Sequence, residues 1–409
     1  MKLLNVDSLA DVREKLSSHF GGMTLKTESV GIDDAAGRYI AEEIHADMDM
    51  PQFRRSVVDG YAVCASDTFG AGDAMPAFLN IAGTVEMGSI YEDKMRPGEA
   101  VYVPTGGMIP DGADAMVMIE FVDKLDERTV AVYKPSAPNS GIMNIGDDFR
   151  KDELFFARGH RLKPKDIGML AACGKTGILV YRKPLVSIIS TGDELVDASE
   201  TPGPGQIRDI NGRTLAAFAK AAGAEIQDVR VFRDDFDACR THAAKQLENS
   251  DIVLISGGSS AGNKDMTAAL IDSLGDPGVI THGIAIKPGK PTIIGNVGGK
   301  PVFGLPGHPV SAVAVFAAVV EPFIKSRYFG SSDGPVSVSA SVTENIHAGE
   351  GRETYQMVIL EKTGSGWLAE PIRAKSGAIS QLMRADGYIR IGSLTEGIEA
   401  GTAVEVFLL

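Results

Sequence analysis

Residues 251–311 constrain this chain more than any other stretch. They read DIVLISGGSSAGNKD, then a helical segment, then IAIKPGKPTIIG, then PVFGLPGHPVSA. Asp251 to Ser256 is an apolar run ending in Ser-Gly-Gly, the pattern of a buried strand entering a tight turn. Ser256, Gly257, Gly258, Ser259 and Ser260 are small, and small residues let backbone N–H groups approach an anion closely. Thr267 to Leu274 reads as a short helix, whose N-terminus favours phosphate. Lys287 and Lys290 place two ammonium groups on a loop stiffened by proline and glycine. Gly304-Leu305-Pro306-Gly307 repeats the strand-to-glycine arrangement. One such turn says only that a strand-helix connection needs glycine. Several within one stretch predict a single anion site at the carboxyl ends of neighbouring strands in an open α/β sheet.

The whole chain sets the outer bounds. At 409 residues it exceeds one core, so roughly two to four domains are expected. A hydrophobic content of 44% and mean hydropathy near zero fit a soluble globular protein. A net charge of −14 argues against nucleic-acid binding, whose footprint is basic. It leaves room for a local basic pocket. Cys64, Cys173 and Cys239 are widely spaced and form no Cys-x-x-Cys, which points to reduced thiols in the cytoplasm. The opening MKLLNVDSLADVREKL has charges inside its apolar runs, unlike a secretion signal. No apolar run reaches about 18 residues, so neither a transmembrane helix nor a membrane partner is expected.

Along the chain, residues 7–20 predict a helix capped by Asp7 or Ser8, with Leu9, Val12 and Leu16 on one face. A turn and second helix are expected between Val30 and Ile44. From Tyr61 to about Lys134 the pattern is β-rich, with strands at Val101–Val103 and Ala115–Ile119. Lys165 to Cys173 predicts a helix. Strands at 184–190, 225–232 and 251–256 alternate with helices at 211–223 and 235–248, the pattern of a doubly wound sheet. Val310 to Ser326 predicts an apolar helix, and the last 75 or so residues alternate like a small β domain. The expected fold is therefore multidomain α/β. It combines a doubly wound, mostly parallel sheet (181–329), two β-rich domains (47–139 inserted, 330–409 C-terminal), and a discontinuous helical or mixed linking domain (1–46 and 140–180).

These motifs also carry a resemblance. PQFRRSVVDGYAV, STGDEL at 190–195, SGGSSAGNKD at 256–265, IKPGKP at 286–291, GLPGHPVSA at 304–312 and GRETYQ at 351–356 stand in the order of the molybdopterin molybdenumtransferase family. That family includes the corresponding domain of gephyrin, and the resemblance covers nearly the whole length. It implies a homodimer that inserts molybdate into adenylylated molybdopterin, releasing AMP and giving molybdenum cofactor, with a divalent cation taken as Mg²⁺. It also implies a site shared between the sheet of one subunit and the β-rich part of the other. The adenylyltransferase of the same pathway is a possible contact.

The resemblance marks Asp59, Glu194, Asp265, Lys287 and Lys290 as catalytic candidates. Thr191, Gly192, Ser256, Gly257, Gly258, Ser259, Pro306, Gly307, Arg352 and Ser376 are substrate-binding candidates, and Glu194, Asp235 and Asp265 metal ligands. Carboxylates suit a hard cation that bridges them to phosphate oxygens. Each residue also has a plainer reading. Asp59 precedes a glycine and fits a turn. Glu194 also fits as the neighbour of a turn cap, and Asp193 reads as structural. Asp235, beside Asp234, fits equally as a helix cap. Lys287 and Lys290 are also ordinary loop lysines. Asp147 or Asp148 matches an acidic family position in a segment shorter than usual. Arg54, Val57-Val58, Asn263-Lys264 and His308 depart from the family pattern, and His308 reads as a turn histidine. The alternatives are an adenylyltransferase-like enzyme, a tungstate-preferring paralogue, and a scaffold homologue without chemistry.

Overall fold

Ser8 starts the first helix, α1 (Leu9–Phe20). Its hydroxyl accepts the Asp11 amide at 3.1 Å, and the Asp11 carboxylate accepts the Ser8 amide at 2.9 Å. This reciprocal cap satisfies two otherwise orphaned donors. Leu9, Val12, Leu16 and Phe20 form the buried face. The computed structural model describes residues 6–257, 266–364, 366–373, 375 and 377–409.

The second helix expected before Ile44 does not form. A 3₁₀ turn, Ile32–Asp34, gives way to Gly37 at φ 82°, a backbone region that disfavours side chains. The amides of Gly37, Ile40 and Ala41 then donate to the carbonyls of Leu162, His160 and Leu179. Bonds to distant backbone replace the local helical ones. The helix expected at 165–173 is present as Pro164–Ala172.

The chain divides into two compact units, one formed by 43–157 and 169–175 and the other by the rest. The first holds a sheet of β1 (Gly60–Val63), β2 (Ala77–Thr84), β3 (Glu99–Val103), β4 (Ala115–Met118), β5 (Val122–Lys124) and β6 (Thr129–Val132), in the order β4-β1-β3-β2-β6-β5. Val63, Leu79, Ala115 and Val130 belong to its core.

The other unit is built on a six-stranded sheet. Its elements are β7 (Leu185–Thr191), α2 (Asn211–Ala221), β8 (Glu225–Phe232), α3 (Phe236–Asn249), β9 (Ile252–Gly257), α4 (Met266–Leu274), β10 (Pro277–His282), a two-residue β11 (Ile286–Lys287), β12 (Ile293–Val297) and β13 (Lys300–Leu305). The sheet order is β8-β7-β9-β13-β12-β10. β8, β7, β9 and β13 are parallel, and β12 pairs antiparallel with both β13 and β10, so β12 is the one reversed strand of this sheet. Helices cover both faces, which is why β7 and β9 are buried along nearly their whole length. The chain passes from β7 to β8 on one side and returns to β9 on the other. That reversal opens a crevice at the carboxyl ends of β7 and β9.

Helix α5 (Pro309–Phe329) follows β13 and includes a π-helical turn, Phe316–Val320. Among the described residues it alone is long and apolar enough to cross a membrane, but 72% of that stretch is buried inside the protein. It packs in the core with Phe303 and Leu215. At the C-terminus, β14 (Ser337–Val342), β15 (Glu353–Thr363), β16 (Gly366–Pro371), β17 (Gly387–Ile391) and β18 (Ala403–Leu408) close into a ring, because β15 pairs with both β16 and β17. β11 adds to β15 in parallel, with Lys287 opposite Thr354.

Asp166 ties down the turn before Pro164–Ala172. Its carboxylate accepts the His160 ring Nε2 and the Lys163 amide, each at 2.8 Å. Burial pushes this carboxyl up, but those hydrogen bonds outweigh it and hold the pKa below the ordinary value. A carboxyl depressed in the folded state adds stability that is fully present above its unfolded pKa, near ~3.9, and lost as pH falls through the folded value. Asp166→Asn should cost about 2 kcal/mol at neutral pH and flatten the acid limb of the stability profile below about pH 4. Melting temperatures of both proteins against pH check this.

Candidate active site

A cleft of about 610 Å³ lies at the carboxyl ends of β7, β9 and β13. Thr191 and Gly192 end β7, Ser256 and Gly257 end β9, and Pro306, Gly307 and His308 follow β13. All of them line the cleft. Gly257 stands at φ 113°, and a Cβ there would lie 2.1 Å from the Thr191 carbonyl oxygen. Only glycine permits this approach of two strand ends. Thr191 is 2% exposed, and among the described residues its Oγ1 has no hydrogen-bond partner.

The carboxylates differ in their surroundings. Glu194 lines the cleft and is exposed. Asp234 lines it half-buried, and its amide donates to the Asp193 carboxylate at 3.2 Å. Asp193 therefore takes the structural part expected of it. Asp235 does not line the cleft. Its Oδ1 accepts the Ala238 amide at 3.0 Å, capping α3. Cys239 lies fully buried on that helix, and burial, helped by Asp235 and Asp234, pushes its thiol up to about 11. It stays protonated and is no nucleophile at neutral pH.

Two cleft residues escaped the sequence reading. Asp209 is 5% exposed, and its Oδ1 accepts the Ser190 hydroxyl and the Gly212 amide, both at 3.0 Å. Asn211, at the start of α2, donates from Nδ2 to Ser256 Oγ and to the Gly307 carbonyl, each at 2.8 Å. The available signal was Asp-Ile-Asn just before a predicted helix, an Asx capping pattern.

The remaining candidates fall as follows. Lys287 and Lys290 are exposed, and neither lines the cleft, although the adjoining Pro291 does. Among the described residues neither lysine has an ion-pair partner. Arg352 is exposed just before β15, which the β11 pairing sets beside Lys287. Asp59 belongs to the other unit, just before β1, and its Oδ1 accepts the Thr105 amide at 2.8 Å. Gly258, Ser259, Asp265 and Ser376 lie outside the described residues. His308 sits exposed at the start of α5 and lines the cleft. Arg54 donates to the Ala113 carbonyl at 2.9 Å, a link between distant parts of the chain, and Asp147 accepts the Asn144 amide at 2.7 Å, holding a local turn.

Among the described residues no group of three or more His, Cys, Asp or Glu is placed to hold a metal ion. Glu194, Asp209 and Asp234 nevertheless bring hard oxygen donors to one cleft. Mg²⁺ needs no more than one or two protein carboxylates beside substrate phosphates, so this donor set fits it.

A crevice at the reversal of a doubly wound sheet, lined by small strand-end turns and carboxylates, defines an α/β ligand-binding protein of the nucleotide-site kind. Three family descriptions match successive parts of the chain: "MoeA N-terminal region (domain I and II)" over residues 7–174, "Probable molybdopterin binding domain" over 187–326, and "MoeA C-terminal region (domain IV)" over 339–409. The molybdopterin molybdenumtransferase of Bacillus subtilis is 30% identical over 388 residues, covering 94% of this chain and 90% of that protein. That of Haemophilus influenzae is 34% identical over 333 residues, covering 81% and 80%. The crystal structure of a molybdopterin biosynthesis MoeA protein from Pyrococcus horikoshii superposes with a TM-score of 0.82 at 39% identity, covering 99% of both chains. The chain belongs to the MoeA family of molybdopterin molybdenumtransferases.

Proposed function

We propose that this protein is a molybdopterin molybdenumtransferase, joining molybdate to adenylylated molybdopterin with release of AMP. The observation that carries this reading is the cleft at the ends of β7, β9 and β13, in a chain whose relatives match it over most of their length. Thr191, Gly192, Ser256, Gly257, Pro306 and Gly307, with Gly258 and Ser259, bind the phosphorylated substrate. Backbone amides at strand ends and buried hydroxyls suit phosphate oxygens. Lys287, Lys290, Arg352 and Ser376 hold the oxyanion. Glu194 and Asp265 hold Mg²⁺, with Asp234 in place of Asp235, whose carboxylate is occupied as a helix cap. When bound, the cation offsets phosphate charge and assists departure of AMP as a Lewis acid.

Two copies form a dimer in this proposal, and Asp59 of one subunit serves the cleft of the other. The protein works in the cytoplasm, in keeping with its three free cysteines, and contact with the adenylyltransferase that makes its substrate fits the same scheme.

Chelation should abolish AMP release and added Mg²⁺ restore it, and Glu194→Gln and Asp265→Ala should each leave folding intact while slowing release at least about a hundredfold. Wild-type rates under full chelation would sink the metal assignment. In the same assay, Asp59→Ala and Glu194→Ala refolded together should recover about a quarter of wild-type activity, because half the dimers carry one intact cleft. A dead mixture with proven mixed dimers would place the whole site on one subunit.

A further inference from the structure

Asn211 occupies an unusual position in the cleft. It is 7% exposed, and both protons of its amide nitrogen are spent on elements from different parts of the chain. One goes to Ser256 Oγ, at the end of β9, and the other to the Gly307 carbonyl, after β13, each at 2.8 Å. A carbonyl oxygen can only accept, so the amide orientation is fixed: Nδ2 faces Gly307. Among the described residues the buried side-chain oxygen has no hydrogen-bond partner. A buried acceptor without a hydrogen bond costs free energy. An apolar side chain of similar size would avoid that cost but could not tie the two turns together. β9 and β13 already pair as neighbours up to Ser256 and Leu305. Beyond that pairing, Asn211 is a side-chain link from α2 to both turns.

We propose that Asn211 is a positioning residue that sets the spacing of the Ser256–Gly257 and Pro306–Gly307 turns, so that they meet the substrate as one preformed surface. This rests on the reading of the cleft as the substrate site. Asn211 acts through the turns, and its loss loosens them and weakens binding more than it slows chemistry.

The test uses the full-length protein with two readouts: equilibrium binding of AMP, and KM and kcat for AMP release from adenylylated molybdopterin. Asn211→Ala removes both bonds, and Asn211→Asp keeps the size while setting a carboxylate against the Gly307 carbonyl. Both variants should bind AMP about tenfold more weakly and raise KM similarly, with kcat within about threefold of wild type, a shift of roughly 1.4 kcal/mol. Combined with Ser256→Ala, the losses should be less than additive, since both act on one link. A purely structural asparagine would lower the melting temperature and leave AMP affinity and KM unchanged, and that result overturns the proposal. Full additivity with Ser256→Ala overturns it as well. If wild type binds AMP but releases none from substrate, the transferase reading fails while the AMP arm still decides the role of Asn211.

Discussion

Gly257→Ala is expected to be the most damaging single change in the sheet unit. The new Cβ would stand 2.1 Å from the Thr191 carbonyl oxygen and 3.0 Å from Thr191 Oγ1, inside any tolerable contact. Backbone at φ 113° adds strain that alanine cannot relieve. Neither neighbour can yield cheaply, because Thr191 ends β7 with Gly257 as its register partner on β9. Overpacking and backbone strain together predict a loss of about 3–5 kcal/mol. For a unit of this size that is roughly 8–15 °C in the sheet transition. Gly168→Ala is the control. Gly168 lies inside Pro164–Ala172 with nothing within 4 Å of its Cβ position, and alanine there should be neutral or stabilising by up to about 1 kcal/mol. Calorimetry of the three proteins checks the pair. A Gly257→Ala protein as stable as wild type would mean that the two strand ends are not in close contact in solution.

The second large effect is on oxyanion binding. Lys287→Gln and Lys290→Gln should each weaken molybdate binding about tenfold at low ionic strength, the scale of one charge-assisted hydrogen bond. Both side chains are exposed in the free protein, so their contribution is screened by salt. Wild-type affinity should therefore fall with ionic strength more steeply than that of either variant. Titration at low and high salt measures both slopes. Parallel slopes and equal affinities would make these ordinary surface lysines.

Much of this molecule is legible in its sequence because its signals are local. The runs at 184–190 and 251–256 read as strands since both faces of the sheet are covered, and Asp7 or Ser8 marks a helix start that the structure assigns to Ser8. The helix expected before Ile44 fails for a non-local reason. Its amides find carbonyls at Leu162, His160 and Leu179, which nothing near residue 40 announces. Asp235 illustrates a different limit. The same Arg-Asp-Asp letters read equally well as a metal ligand or a helix cap, and only the register of α3 turns Asp235 to the cap and leaves Asp234 at the cleft. Asp209 bonds the nearby Gly212 amide and reads as an ordinary helix-start aspartate, whereas the partners of Asn211 lie far along the chain. Asn211 bonds Ser256 and Gly307, residues brought together by the sheet order rather than by spacing.

The chemistry of the cleft is decided by incubating the purified protein with adenylylated molybdopterin, Mg²⁺ and either molybdate or tungstate, and counting AMP released against cofactor formed. A transferase should release one AMP for each cofactor formed, depend on the oxyanion, and lose release in Glu194→Gln. Substrate bound but no AMP with either oxyanion would contradict it and leave a scaffold. AMP transfer from ATP onto molybdopterin, in place of release, would contradict it in favour of an adenylyltransferase.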